Sequence, residues 1–462
     1  MLFNDLKFII FFVPVLIIYY LINKYRKIWV KNVFLLVTSY MFYGMFDAKY
    51  LSVLLYITVV NYTAIRLMKA EPKKWVVTMA ILLSLLPLAF FKYTYFLLND
   101  VLGIEGQILG KIALPVGISF FTFQTLSYTI DVYRKKEKEQ PSLFTFALYT
   151  AFFPTILSGP IERARNLMPQ LKSIQVWNCT KVLNGFQLLL WGLFLKIGVA
   201  DRLTSYVGSV FAFPEAYGCN TLVLGTSLYS IQVYCDFAGY SAMAIGIGRM
   251  LGFNLQKNFD FPFFSANLRN FWKRWHISLT SWFTEYIYFS LGGSRVKEWR
   301  WVLNILFVFF VSGLWHGAAW TYIVWGLING AYQVIEHYTI GKKEFNNQWI
   351  NTLRGFVVFS IFTISMVFFR SPNCAHALTM FACIGNGWAP LYLGSAVSIF
   401  AMMVISLAIA LIFELLLYYR KITITESDDD AFKSSNLMFM AVMILLISFI
   451  GQSGAIFVYF QF

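Results

Sequence analysis

Apolar runs of a length suited to crossing a lipid bilayer recur from one end of this chain to the other. A membrane helix needs about 17–25 mostly apolar residues to cross the hydrocarbon core. Hydrophobic residues make up 59% of the 462 residues and charged residues only 13%, whereas soluble domains carry about 25% charged residues. The sequence therefore predicts an all-α, polytopic membrane protein. Predicted membrane helices lie near residues 8–22, 28–46, 50–67, 75–91, 112–130, 182–200, 221–235, 301–315, 317–335, 353–369, 393–419 and 437–461.

The charge pattern predicts how these helices are oriented. The chain has 37 Lys and Arg against 22 Asp and Glu, a formal net charge of +15. Basic residues collect in the loops at 24–31, 66–74 and 133–138, and these basic loops alternate along the chain with loops that are not basic. Because cytoplasmic loops are enriched in Lys and Arg, we expect these loops in the cytoplasm and the N-terminus outside. The basic excess then faces anionic lipid, and no nucleic-acid partner is expected.

Two central segments, 153–175 and 254–300, are too polar for simple spans and too apolar for free loops. They place Pro, Asn and charged residues among aromatic ones. Irregular backbone is tolerated at membrane depth only where protein buries it or where it lines a water-filled cavity. These segments are therefore predicted to form re-entrant or interfacial helices beside a cytoplasmic funnel.

One histidine, His316, lies in a stretch that has no Lys, Arg, Asp or Glu between Trp301 and Ile335. An ionisable residue inside a membrane span is costly and usually marks a functional site. Small residues, Gly313 and Gly317, flank this histidine and allow another backbone or a ligand to approach. A neutral histidine that only bonds a neighbouring helix is the alternative interpretation.

Further candidate residues surround His316 in the sequence. Trp315, Trp320 and Trp325 recur at five-residue spacing and so wind around the helix, where they either wall a pocket or pack as ordinary aromatic residues. A second histidine, His276, lies in the basic segment WKRWHISL. Two histidines in one cavity suit acid–base chemistry near neutral pH. No Cys/His cluster has the spacing of metal ligands, so no metal site is predicted.

Six segments carry residue combinations too specific for hydropathy alone to explain. They are LPVGISFFTFQTLSYTIDVYR (114–134), FFPTILSGPIERARNLMPQL (152–171), YCDFAGYSAMAIGIGRMLGF (234–253), NFWKRWHISLTSWFTEYIYFSLGGSR (270–295), SGLWHGAAWTYIVWG (312–326) and FVYFQF (457–462). Together they resemble the membrane-bound O-acyltransferase (MBOAT) family, and within it the bacterial branch of alginate O-acetyltransferase membrane subunits. The resemblance covers nearly the full chain.

For the fold, this resemblance implies a ring of membrane helices, about eleven or more, with thinner re-entrant elements around a central tunnel. The whole chain, 1–462, then forms one membrane domain in the bacterial inner membrane. Its parts are peripheral N-terminal helices in 1–130, a catalytic core at about 150–335 and C-terminal helices in 353–462.

For the chemistry, the resemblance implies transfer of an acyl group, usually acetyl, from a cytoplasmic thioester to a hydroxyl at or across the outer face. His316 matches the family's catalytic histidine, and we predict it to be the general base that activates the acceptor hydroxyl. His276 matches the second characteristic histidine and is predicted to position the donor or stabilise the oxyanion. Arg269, Lys273 and Arg274 either attract the phosphates of coenzyme A or face anionic lipid.

The other predicted substrate contacts are Trp315, Trp320, Asp236 and Tyr240. For Asp236 and Tyr240, helix packing is the alternative interpretation. The chain departs from the family at Ala242 in FAGYSAMAIG, because the family's usual pattern has an acidic residue at this place. No role of that carboxylate carries over to this chain.

The sequence thus predicts an O-acyltransferase that acetylates an exopolysaccharide or cell-wall polymer, together with an extracytoplasmic partner protein. Acetyl-CoA or another acyl thioester is the expected co-substrate, with no bound cofactor. Transfer of D-alanine to teichoic acid and O-acetylation of peptidoglycan are the alternatives within the family. A polytopic transporter is the alternative outside it.

Overall fold

The computed structural model describes residues 2–69, 71–103, 114–137, 140–339, 347–419, 434–452, 454–455 and 457–458. Over these ranges the regular secondary structure is helical, without a β-strand, which confirms the predicted all-α class. The α-helices are α1 Leu6–Lys24, α2 Ile28–Asp47, α3 Leu51–Leu67, α4 Lys74–Leu88, α5 Ile118–Tyr133, α6 Leu143–Ala151, α7 Ala164–Leu171, α8 Cys179–Leu193, α9 Asp201–Ala212, α10 Cys219–Met250, α11 Leu268–Arg274, α12 Ile277–Phe283, α13 Glu298–His316, α14 Trp320–Thr339, α15 Gln348–Arg370, α16 Cys374–Ile384, α17 Val397–Tyr418 and α18 Ser434–Ile450.

Seven helical stretches in the described part of the chain are long and apolar enough to cross a membrane. They are Leu6–Lys24, Ile28–Leu67, Lys74–Tyr93, Cys179–Ala212, Glu298–His316, Trp349–Arg370 and Val397–Tyr418. The stretch Ile28–Leu67 contains two successive helices, α2 and α3. These features confirm a multi-pass membrane protein, while the count of about eleven or more spans and the central tunnel stay predictions.

The chain divides into two compact units. The amino-terminal unit comprises Met1–Leu190, Tyr240–Lys257 and Ile424–Met438; the histidine unit comprises Trp191–Gly239, Asn258–Thr423 and Phe439–Phe462. Both candidate histidines belong to the histidine unit. The single membrane domain with parts at 1–130, about 150–335 and 353–462 stays a prediction.

In the amino-terminal unit, polar side chains of neighbouring helices bond one another. Asn61 on α3 donates to Ser84 on α4 at 2.7 Å and accepts from Thr129 on α5, also at 2.7 Å. Lys31 on α2 is fully buried, and its ammonium donates to the carbonyl oxygens of Leu171 and Ser173. Since hydrocarbon offers no hydrogen-bond partners, such bonds satisfy polar groups inside the protein. Lys31, predicted in a cytoplasmic basic loop, therefore caps the end of α7.

Helix boundaries differ from the sequence predictions at three places. The predicted span 221–235 is only the first half of α10, because the small and polar residues after it lower the hydropathy without stopping a helix. The predicted helix 112–130 begins at Ile118, after Gly117 in the left-handed region with φ 77°. The predicted span 437–461 ends as a helix at Ile450.

In the histidine unit, α13 and α14 form a hairpin whose backbones touch. A β-carbon added at Gly313 would overlap the carbonyl oxygen of Tyr322, and one at Gly326 would overlap that of Phe309. Membrane helices approach this closely only where small residues face each other. The two glycines therefore set the distance between α13 and α14, and with it the position of His316 at the tip of the hairpin.

We predict that Gly313→Ala destabilises the protein, because the added methyl group forces the two helices apart. A forced overpacking of this kind costs about 1–3 kcal/mol. Thermal unfolding of purified protein in detergent measures the effect. Gly44→Ala on α2 is the matched control, since nothing lies within 4 Å of a β-carbon there and alanine favours a helix. An unchanged melting temperature of Gly313→Ala would contradict the close contact.

Candidate active site

His316 is the last residue of α13 and is 6% exposed. Three aromatic rings stand edge-on to its imidazole. The centroid distances are 4.9 Å to Trp315, 4.9 Å to Trp325 on α14 and 5.2 Å to Phe369 on α15. Gly317 follows in extended conformation, so the chain leaves the helix immediately after the histidine. The imidazole thus lies at a helix end inside an aromatic enclosure.

His276 lies between α11 and α12 and is 2% exposed. Its backbone is in the left-handed region, with φ 45° and ψ 52°, which a non-glycine residue adopts only when its surroundings hold it there. Asn258 provides that hold: its carbonyl accepts from the Ile277 N–H at 2.8 Å and its side chain from the Ser278 N–H at 3.3 Å. These two hydrogen bonds to Asn258 therefore fix the backbone that follows the strained residue.

One indole ring contacts both histidines. Trp315 has its ring centroid 4.9 Å from that of His316 and 5.8 Å from that of His276. Phe237 on α10 covers His276 from another side at 4.6 Å. The structure therefore brings together three of the predicted site residues, His276, His316 and Trp315, in one apolar site.

The apolar surroundings control the charge of His276. Burial lowers the pKa of this imidazole from its ordinary 6.5 to about 3, because an imidazolium loses its hydration when it leaves water. His276 is therefore neutral at physiological pH. A neutral imidazole donates one hydrogen bond and accepts another.

The helix that precedes His276 carries the predicted basic residues. Arg269 and Lys273 are exposed on α11 and Arg274 is half-buried. The carboxylate of Glu336, buried on α14, accepts from the Leu268 N–H at 3.1 and 3.0 Å and so holds the start of α11. An acidic group at a helix N-terminus is stabilising. The basic residues thus lie on a short, anchored helix that leads directly to His276.

Four other residues that the sequence analysis singled out have other positions and contacts. Asp236 on α10 pairs with Lys196 at 2.7 Å and accepts from the Val458 N–H at 2.7 Å. Trp320 begins α14 and is 51% exposed. Tyr240 belongs to the amino-terminal unit, where its ring stacks on Phe3 at 4.9 Å. Ala242 is half-buried in the same unit. Substrate contacts by Asp236, Trp320 and Tyr240 stay predictions.

Several residues of the site carry no signal in the sequence. Phe237 and Phe369 are two of 48 phenylalanines, and nothing local distinguishes them from ordinary membrane-helix residues. Asn258 is seen to matter only through its bonds to residues about twenty positions later. Trp325 is the exception, because its five-residue spacing from Trp320 already placed it among the aromatic candidates.

The arrangement suits proton transfer in a dry site. An imidazole enclosed by aromatic rings accepts a proton without competition from bulk water, and a second, neutral imidazole nearby can donate to an oxygen that gains charge. Within the described ranges, no three His, Cys, Asp or Glu side chains form a group able to hold a metal ion.

Comparison with known proteins agrees with this chemistry. Residues 33–375 match the model of MBOAT, the membrane-bound O-acyltransferase family. The chain is 33% identical to a probable alginate O-acetylase, AlgI, of Azotobacter vinelandii over an alignment of 398 residues that covers 83% of this chain and 78% of the relative. It is 34% identical to a peptidoglycan O-acetyltransferase of Helicobacter pylori over 417 residues, covering 82% and 78%. A teichoic acid D-alanyltransferase of Bacillus subtilis is 28% identical over 290 residues, covering 56% and 70%.

The family match spans most of the chain and includes both histidine motifs. It leaves no support for the transporter interpretation. Taken with the all-helical, multi-pass architecture, it shows that this chain belongs to the membrane-bound O-acyltransferase family and is an O-acyltransferase.

Proposed function

We propose that this O-acyltransferase moves an acetyl group from acetyl-CoA in the cytoplasm to hydroxyl groups of an exported polysaccharide, by way of an extracytoplasmic partner protein. The observation that carries the proposal is that the rings of His316 and His276 both contact the ring of Trp315 in a buried site. The acetylase names of the 33% and 34% identical relatives support the choice of acetyl and of a polymer acceptor.

His316 acts as the general base in this proposal. Its imidazole takes the proton of the acceptor hydroxyl while the hydroxyl oxygen attacks the thioester carbonyl carbon. The new carbon–oxygen bond forms as the carbon–sulfur bond breaks, and the leaving thiolate takes the proton back from the imidazolium. The products are an acetyl ester and free coenzyme A, so the base is regenerated in each cycle.

His276 stabilises the negative charge that develops on the carbonyl oxygen. Because its pKa of about 3 keeps it neutral, it donates an N–H bond without changing its own charge. A donor fixed before the reaction needs no reorganisation at the transition state. The two hydrogen bonds to Asn258 supply this fixation, since they hold the backbone of His276 in its left-handed conformation.

The cytoplasmic side of the site is inferred from charge. Basic residues flank the start of α13, with Arg295 and Lys297 before it and Arg300 in its first turn, and Lys and Arg collect in cytoplasmic loops. The start of α13 then lies at the cytoplasmic face of the inner membrane, and His316, at its other end, lies deeper. By the same rule the basic loops at 24–31, 66–74 and 133–138 lie in the cytoplasm, and the N-terminus of the chain is extracytoplasmic.

His316→Gln should abolish transfer to the acceptor while leaving a folded protein, because glutamine keeps a polar side chain but cannot act as a base. General-base catalysis contributes about 10²–10⁴-fold to a rate, so we expect a loss in that range. Release of free coenzyme A by purified protein in detergent measures it. The matched control is His337→Gln, at the far end of α14 against Trp301. If His316→Gln turns over as fast as wild type, the base assignment is wrong.

His276 should leave no mark on the pH dependence of the reaction. The folded protein holds this residue neutral above a pKa of about 3, whereas the unfolded chain titrates near 6.5. Its neutral form therefore contributes stability that is present above pH 6.5 and is lost on acidification. His276→Asn, which tolerates the left-handed backbone, should lower kcat about 10²-fold. The shape of its profile from about pH 5 to 8 should match that of wild type. A step near 6.5 in wild type alone would contradict this role.

Lys273→Gln should raise the KM for acetyl-CoA and leave kcat unchanged, since Lys273 binds a phosphate of the donor in this proposal. Exposed charge pairs contribute up to about 1 kcal/mol, so we expect a rise of about five-fold. The assay is run in neutral detergent, without lipid. Lys297→Gln is the control, because Lys297 is also exposed but directly precedes α13. An unchanged KM would favour the alternative that Lys273 faces anionic lipid.

The acceptor is tested in cells by mass analysis of the surface polymers of a deletion strain. Loss of acetyl esters from an exopolysaccharide, with restoration by wild type but not by His316→Gln, supports the proposal. The 34% identical Helicobacter relative favours peptidoglycan as a second candidate acceptor, and loss of acetyl from muropeptides would select it. Loss of D-alanine esters instead would overturn acetyl transfer.

A further inference from the structure

A buried cluster of three charged residues, called here the ion triad, lies in the histidine unit. It consists of Lys196, Asp201 and Asp236. The Lys196 ammonium is 2.7 Å from a carboxylate oxygen of each aspartate, and all three side chains are about 2% exposed. The proposed reaction uses none of these groups, and the cluster therefore needs another explanation.

Stability by itself is a poor explanation for the ion triad. Taking three charges out of water is costly, and replacing a buried ion pair by apolar residues of similar volume is often neutral or stabilising. The best-attested gain from buried charges is that they select one arrangement of the chain over others. What the ion triad selects is visible in its remaining contacts.

The ion triad binds the carboxyl-terminal segment that follows α18. Asp236 accepts from the Val458 N–H at 2.7 Å, and Lys196 donates to the carbonyl oxygen of Ala455 at 3.4 Å. The Lys196 ammonium also lies 5.9 Å from the ring centroid of Phe457. Two members of the ion triad therefore contact the backbone of Ala455 and Val458 and the ring of Phe457.

This segment reaches the candidate active site through one further ring. Phe457 is fully buried, and its ring centroid is 6.1 Å from that of Phe237, the residue next to Asp236 on α10. Phe237 is also fully buried and packs on His276 at 4.6 Å. Phe457 thus contacts the ring that packs on His276.

We propose that Asp236 and Phe457 are positioning residues: the ion triad holds Phe457 against Phe237, and Phe237 in turn holds the His276 imidazole in its donating orientation. This inference rests on the proposed function of His276. It assigns a task to the FVYFQF motif, of which Phe457 and Val458 are the described residues. It also replaces the predicted substrate contact of Asp236, since both of its carboxylate oxygens are engaged inside the protein.

Activity measurements test this coupling with a double-mutant cycle. Phe457→Ala should lower kcat for acetyl-CoA turnover about ten-fold or more, since small displacements of a catalytic group are costly, and should leave KM unchanged. In the His276→Asn background the same change should have almost no further effect, because the group it positions is gone. Equal losses in both backgrounds would show a merely structural role and overturn the proposal.

A second readout does not depend on turnover. Diethyl pyrocarbonate modifies neutral histidines, and peptide mass analysis reports the rate at His276. Phe457→Ala should loosen the packing over His276 and raise the rate of His276 modification about ten-fold through local opening. Asp236→Leu, which keeps the branched shape but removes the bond to Val458, should do the same. Rates equal to wild type in both variants would overturn the proposal.

Phe439→Ala is the matched control for both measurements. Phe439 is buried on α18 in the same unit and packs on Phe413 at 5.7 Å. Its truncation should lower the melting temperature as much as Phe457→Ala but leave the His276 modification rate unchanged. If wild type fails to turn over acetyl-CoA, the proposed function fails, while the modification rates still decide whether Phe457 positions His276.

Discussion

The contact between the backbones of α13 and α14 is the constraint on which the active site depends. Gly313 and Gly326 let the two helices touch, and this places His316 at the tip of their hairpin against Trp325. In hydrocarbon no hydrophobic force draws helices together, so close packing has to come from shape. Close packing of the hairpin fixes the position of the His316 imidazole, which its proposed role as general base requires.

Several buried charged and polar side chains bond backbone groups outside regular helices or at helix ends. Lys31 ends one short helix and Glu336 begins another, each by bonding backbone groups that hydrocarbon would leave unsatisfied. Asn258 bonds the backbone around a strained histidine, and Asp236 bonds a segment more than two hundred residues away. The costs of burying these groups are thus offset by fixing non-helical backbone, which is where the candidate catalytic groups lie.

Much of the candidate site could be predicted from local sequence. The residues that could not be predicted were missed for one common reason. His316 is conspicuous because no charged residue surrounds it for more than a full span, and His276 because it interrupts a basic segment. Trp315 is identified with them because it directly precedes His316 in the sequence. Phe237 and Phe369 have no local signal, since a phenylalanine in an apolar helix looks the same whether it faces lipid or a histidine. Only their contacts identify them.

The sequence by itself determined the all-helical membrane class, the family and the two histidines, because hydropathy and motif are properties of neighbouring residues. Only the tertiary structure decided what each charge does. For Asp236 the sequence left a pocket role and helix packing open, and the structure gives it Lys196 and Val458 as partners. Partners forty and more than two hundred residues away meet only through packing. Because hydrocarbon leaves a buried carboxylate no water to bind, the groups that the fold brings to it determine its contacts.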